Sequence, residues 1–250
     1  MWLTSIALFI IAASADAARA ADDCFGPGEP ATVAAAAGPL TLRLADGRLL
    51  RLADLSPADP GAAPALAALT GADVLLRPLR GEVVADRHGR LLGDVVPKAT
   101  TESLRAQLLA RGLALVDPAV MSEGCLETSF MAERRAERAA KGVWSQRHPV
   151  LSAGAPDRFA RIGQTVLVEG TVLSVGRSSR TIFLNFGADW RTDFTAMIVQ
   201  GTLVKWVEEP GTLTGARVRV RGVLEAWNGG LVKVEHPAQI ERLDASRGRP

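Results

Sequence analysis

The sequence predicts a mainly β fold with added helices, an α+β chain in two parts, and three observations carry that expectation. Residues 31–55 alternate apolar and polar side chains, the period of a half-buried strand pair. Residues 101–144 change to helical spacing, with capping residues where helices would begin. Beyond about residue 150 the chain returns to short alternating runs divided by turns.

Met1 to Ala20 carry an apolar run from Leu3 to Ala13 and end in Ala18-Arg19-Ala20, the small-x-small pattern of an export signal over residues 1–20. An uncleaved anchor is the competing reading, against which the run is short for a bilayer. Cleavage would leave about 230 residues, with no later apolar run long enough to insert into a membrane. The expected location is therefore exported, periplasmic or secreted, with no membrane insertion after signal cleavage.

Leu40-Thr41-Leu42-Arg43-Leu44 and Leu50-Arg51-Leu52 flank Asp46-Gly47, which reads as a hairpin turn between two strands. The Ala/Leu segment 62–69 reads as a helix, Asp73–Leu79 as a strand, and 82–96 as a second hairpin around His88-Gly89. Thr101 is placed to cap a helix bearing Leu104, Leu108 and Leu109, which Gly112 would end. Ser122 would open a second, charged helix reaching Lys141-Gly142. These elements make a first domain over 21–148, and a Pro/Gly-broken stretch sets a linker at 149–157.

Strands are then expected at 165–175, 180–186, 193–199, 216–226 and 230–236, with Asn228-Gly229-Gly230 as a tight hairpin and a helical stretch near 201–208. Five short strands with one small helix suggest a second domain over 158–244, a small five-stranded OB-like β-barrel. Residues 245–250 read as a disordered tail.

The formal net charge of +2 is too small to argue for or against a polyanionic partner. Only two cysteines occur, and in an oxidising compartment Cys24 and Cys125 read as one disulfide, the alternative being two unrelated thiols. No Ser/His/Asp triad, zinc signature, phosphate-binding loop or dinucleotide fingerprint is present. The cations of Arg217-Val218-Arg219-Val220-Arg221 share one strand face and read as the solvated side of a sheet.

Three stretches over about residues 30–145 resemble the staphylococcal nuclease (thermonuclease) family. Leu42 to Leu52 is similar to that family's strand pair delivering a first catalytic arginine, here Arg51. Asp86-Arg87-His88-Gly89-Arg90 is similar to its Asp-x-Tyr-Gly-Arg hairpin, with Arg90 as the second arginine and His88 at the tyrosine position. Leu108 to Leu115, Ala132-Glu133 and Gly142-Val143-Trp144 match its closing helices. The resemblance implies a first domain built as an OB barrel plus helices. It also implies phosphodiester cleavage with arginine charge stabilisation, a metal and a general base.

Arg51 and Arg90 are the candidate phosphate contacts, since planar guanidinium forks suit bidentate phosphate binding, and His88, at the tyrosine position, is a third candidate through a phosphate hydrogen bond, with a solvated turn residue as the competing reading. The base position holds Asp59, one methylene shorter than the family's glutamate; a loop aspartate satisfying turn amides is the competing reading. Where the family has metal aspartates the chain has Gly38-Pro39-Leu40-Thr41 and Ser56. No metal ligand is therefore assigned and no cofactor expected, calcium entering only if the site is compensated from elsewhere.

In the second half, Asn185-Phe186-Gly187-Ala188-Asp189-Trp190-Arg191 brings aromatics and an arginine to one turn. Trp190 and Arg191 are candidates for stacking on nucleic acid, set against simple packing of the barrel end. The leading expectation is a degenerate nuclease that keeps nucleic-acid or protein binding without efficient cleavage. Its partner would be a single strand or other polyanion, or an envelope protein. One alternative is an active phosphodiesterase using Arg51, Arg90 and Asp59, with metal recruited through Asp54, Asp59 and Asp86. The other is a structural envelope module.

Overall fold

The computed structural model describes residues 24–58, 60–145, 150–189 and 191–243. The expected signal, Asp59, His148, Trp190 and the expected tail lie outside these residues.

Alternation builds the first half as expected. Leu42, Leu44, Leu50 and Leu52 point inward and are fully buried, which defines β2 (Thr41–Leu44) and β3 (Leu49–Leu52). Between them Asp46 accepts the Arg48 amide at 3.0 Å and Gly47 takes φ +90°, a conformation glycine adopts without strain. With β1 (Glu29–Gly38), β5 (Asp73–Pro78) and β6 (Leu91–Pro97) these strands close a barrel in the order β1-β2-β3-β6-β5. Strand β3 pairs with β6 in parallel, and β5 returns antiparallel to β1. This five-stranded OB-like closure leaves no free edge. Outside it β4 (Leu55–Pro57) pairs with β7 (Ala114–Val116).

Three helices pack on the barrel: α1 (Ala62–Ala67), α2 (Leu104–Ala110) and α3 (Glu123–Arg138). Helix α2 is capped by Ser103, whose side chain accepts the Ala106 amide at 3.3 Å, and not by Thr101. Gly112, at φ +67°, follows its end. The second hairpin has one arm only. Residues 82–90 form a loop touching β6 through the Ala85–Leu91 bridge, because Asp86 takes the amides of His88 and Arg90 into its own turn. Cys24 and Cys125 form a disulfide with Cα atoms 5.7 Å apart, which ties the start of the described chain to α3.

The second half folds as one eight-stranded sheet. The five expected strands appear as β9 (Thr165–Thr171) with β10 (Ser174–Arg177), β11 (Thr181–Asn185), β12 (Thr195–Val199), β13 (Arg217–Glu225) and β14 (Leu231–Val234). Short β8 (Val150–Ser152) and β15 (Ile240–Arg242) extend it. The order is β10-β11-β12-β14-β13-β9-β8, with β15 also on β13. Strand β8 lies in the stretch expected to be a linker; despite its Pro/Gly flanks, Val150 and Leu151 pair in parallel with β9. Ile182, Leu184, Ala196, Ile198, Val232 and Val234 fill the inner face.

The two cores meet along α3. Leu167 of β9 joins Leu115, Ala136 and Trp144 in a third apolar cluster. Here the basic stripe of β13 departs from expectation: Arg219 and Arg221 are buried, not solvated. Arg219 bridges Glu137 of α3 and Glu169 of β9 at 2.6–2.9 Å, and Arg221 reaches Glu133 at 3.0 Å and the Val116 carbonyl at 3.0 Å. Cations that alternate along a strand find acids wherever a helix of the right charge docks, and α3 supplies them.

Candidate functional site

Strand β3 alternation sends Leu50 and Leu52 into the barrel and Arg51 outward, opposite Thr41 of β2. The Arg51 guanidinium turns back on its own strand end, donating from Nη1 to the Leu52 carbonyl at 3.2 Å and from Nη2 to the Leu55 carbonyl at 2.7 Å. Burial lowers its pKa, the Arg90 charge lowers it further, and Asp117, Asp86 and Asp54 oppose both. The two arginines expected to act together are therefore neighbours, set among three aspartates.

Arg90 is held by its own hairpin. Its Nε and Nη2 fork onto Asp86 Oδ2 at 2.7 and 2.6 Å, and Nη1 reaches Thr41 Oγ1 at 3.4 Å. Burial pushes the Asp86 carboxyl up, but hydrogen bonds from Arg90 and His88 outweigh it and hold the group below the usual carboxylate range. His88 itself is exposed, accepting from Arg87 Nε at 3.2 Å.

Asp54 sits at φ +49° after β3, and its carboxylate accepts the amides of Val120 and Met121, the latter at 2.8 Å. Asp117, which sequence reasoning did not single out, is partly buried and lies within the fields of Arg51, Arg221 and Asp54. Burial raises its pKa, Asp54 raises it further, and the two arginines pull the other way. Its only sequence signal is an acid directly after the apolar run Leu113-Ala114-Leu115-Val116.

Ser56, where the resemblance expects a metal aspartate, is buried, and its hydroxyl shares a 2.7 Å hydrogen bond with Thr165 of β9. The neighbouring groove, about 490 Å³, is lined by Gly38, Pro39, Leu40, Pro57, Ala58 and Ala62 among others. Such a lining does not fit calcium, which takes six to eight oxygens. The alternative metal recruits fit no better. Asp54 is committed to loop amides and Asp86 to its hairpin, and among the described residues no three His, Cys, Asp or Glu side chains are grouped to hold an ion.

The turn after β11 is a packing and hydrogen-bonding unit. Phe186 and Phe194 meet at 5.1 Å between ring centroids, Phe194 being fully buried. Asp193 accepts the Asp189 amide at 2.7 Å, and Asp189 accepts the Arg191 amide at 3.0 Å. Arg191 is exposed, with Nη1 at 3.7 Å from Asp189. His236 is buried at the seam, its Nδ1 accepting the Ala238 amide at 3.1 Å. Burial lowers its pKa, as does Lys205, while Asp54, Glu123 and a backbone hydrogen bond with Met121 pull the other way.

No protein-family model matches the chain, and no curated protein sequence matches it.

Proposed function

We propose that the chain is an exported, degenerate nuclease-like protein whose first domain binds a partner and does not cleave nucleic acid efficiently. The observation that carries this reading is the state of the arginine pair. Arg51 donates to two backbone carbonyls and Arg90 to Asp86, so the fork geometry that would grip a phosphoryl group is engaged inside the protein. The burial of Ser56 against Thr165 supports it, since a carboxylate there would lie under the second sheet. The disulfide is compatible with export, and among the described residues no helix is long and apolar enough to cross a membrane.

The test is a cleavage assay on single-stranded DNA and on RNA with calcium, with magnesium and with EDTA. The expected result is no metal-dependent turnover. Turnover that Arg51→Ala or Arg90→Ala abolishes would restore the phosphodiesterase reading.

A further inference from the structure

A cavity of about 230 Å³ lies between the barrel and helices α2 and α3. Leu76 of β5 and Val95 of β6 point into the barrel core, so their neighbours Arg77 and Asp94, which are cross-strand partners, point outward and form one wall. Ser103 and Arg105 at the start of α2, and Thr128 and Ser129 of α3, form the others. Phe25 completes the lining. It directly follows Cys24, and Thr128 stands about one turn after Cys125, so the disulfide ties two of these walls together.

Arg105 is 4% exposed, yet its guanidinium is not fully engaged. Nε donates to the Ala53 carbonyl at 2.8 Å and Nη2 to Ser129 Oγ at 3.2 Å. Nη1 has no hydrogen-bond partner among the described residues and is not among the atoms sealed from solvent, so it opens onto the cavity that Arg105 lines. A buried cationic donor left unbonded is costly, and an acceptor in the cavity would relieve it. The guanidinium carbons of Arg105 and Arg77 stand 5.4 and 5.8 Å from the Phe25 ring centroid, which holds both cations beside the same space.

The remaining polar groups add donors. Ser129 Oγ accepts from Arg105 and keeps its own proton to give, and the Thr128 hydroxyl bonds no described residue. The one acid is largely spent on its own neighbours: Asp94 accepts the amides of Val95 at 2.8 Å and Arg105 at 3.2 Å, and the Ser103 hydroxyl. A guest therefore meets mainly hydrogen-bond donors, with two guanidiniums set against one carboxylate. The volume falls below the roughly 300–1,000 Å³ of pockets for drug-sized ligands and is several times the ~30 Å³ share of one water. That space suits an ion of a few heavy atoms and not a nucleotide.

We propose that this cavity is a binding site for a small dianionic oxyanion of the phosphate and sulfate class, held by the Arg105 and Arg77 guanidiniums and by the Thr128 and Ser129 hydroxyls. It shares no lining residue with the Arg51–Arg90 pair, and the proposal does not depend on the nuclease-like reading of the first half.

The test titrates the full chain, in chloride buffer at constant ionic strength, with sodium phosphate and with sodium sulfate, read by calorimetry and thermal melting, with acetate as a further arm. The expected result is saturable binding of both dianions with Kd below about 1 mM, a melting temperature that rises over the same concentrations, and acetate weaker by about tenfold. Arg105 also anchors Ala53 and Ser129, so the variants are made at its neighbours. Thr128→Val, which keeps the shape and removes the hydroxyl, should weaken binding about tenfold with an unchanged melting temperature in chloride, and Arg77→Met should weaken it at least as much. Absence of saturable binding of both dianions up to about 10 mM overturns the proposal. So does acetate binding as tightly as phosphate, or binding that both variants leave unchanged. Binding abolished by Arg51→Met or Arg90→Met and untouched by Thr128→Val would place the ion at the other arginine pair and overturn it as well.

Discussion

The Arg221→Met substitution is the sharpest test of how the two halves hold together. Arg221 is buried, its Nη1 lies 3.0 and 3.3 Å from the two oxygens of Glu133 and 3.0 Å from the Val116 carbonyl, and its guanidinium carbon stands 4.6 Å over the Phe130 ring. Removing it leaves the buried Glu133 carboxylate to the Val116 amide alone, which donates to Oε2 at 2.6 Å, among the described residues. Breaking a buried ion pair from one side costs about 3–5 kcal/mol. Against that, the Arg221 Nε has no hydrogen-bond partner among the described residues, and losing that orphan returns roughly 1 kcal/mol. The net expectation is about 3 kcal/mol of destabilisation in urea unfolding at neutral pH, read by tryptophan fluorescence. Adding Glu133→Gln, which removes the stranded charge but still accepts from Val116, should recover about 1.5 kcal/mol. A single-variant loss under about 1 kcal/mol, or a double variant no better than the single, refutes this account of the seam.

Replacing Cys24 and Cys125 with serine should cost about 4 kcal/mol, since the bridge closes a loop with a sequence separation of 101, and reduction should lower the melting temperature of the parent likewise. Asp117 has a raised pKa, so its folded form binds a proton more tightly than the unfolded chain. Its contribution is fully present below the unfolded value of about 3.9 and is lost as pH rises through the folded value. Asp117→Asn should therefore raise stability at neutral pH and flatten the stability profile above pH ~4, and an unchanged profile would show that burial does not govern this group. Gly93→Ala places a Cβ 2.5 Å from the Arg77 carbonyl oxygen and 3.1 Å from Leu50, and should cost about 2 kcal/mol by thermal melt. Asp86→Asn should loosen Arg90 and steepen the salt dependence of dT-oligomer binding by about one unit of slope, whereas no change would mean Arg90 is not restrained by that carboxylate.

The barrel strands were legible where apolar and polar residues alternate and a turn dipeptide divides them, as at Leu42 to Leu52 around Asp46-Gly47. Strand β1 was not, because Ala34 to Ala37 offer no contrast between the two faces. Strands β4, β7, β8 and β15 have three residues each, too short for any period to register. The helix start at Ser103 in place of Thr101 reflects a choice among several cap-competent residues that only backbone geometry decides.

At the site, the proximity of Arg51 and Arg90 followed from their motifs, but their engagement did not. The Leu52 and Leu55 carbonyls become acceptors only through the bend after β3, which no residue pattern announces. Arg219, Arg221 and Ser56 were misread or left incomplete for one shared reason. Their partners lie 82, 88 and 109 residues away, on elements whose docking is a tertiary event.

The order of the second sheet has a further consequence, for behaviour at high concentration. Unlike the closed barrel, this sheet ends, and an exposed strand end is a template for another chain. Its outermost strands are β10, four residues that include Gly176 and Arg177, and β8, three residues followed by Gly154. Strands this brief, one of them carrying a charge and a glycine, offer little length for a neighbouring molecule to extend the ladder. The terminal strands thus oppose self-association through the sheet, and a lengthened or more apolar β10 would be the first place for the molecule to polymerise.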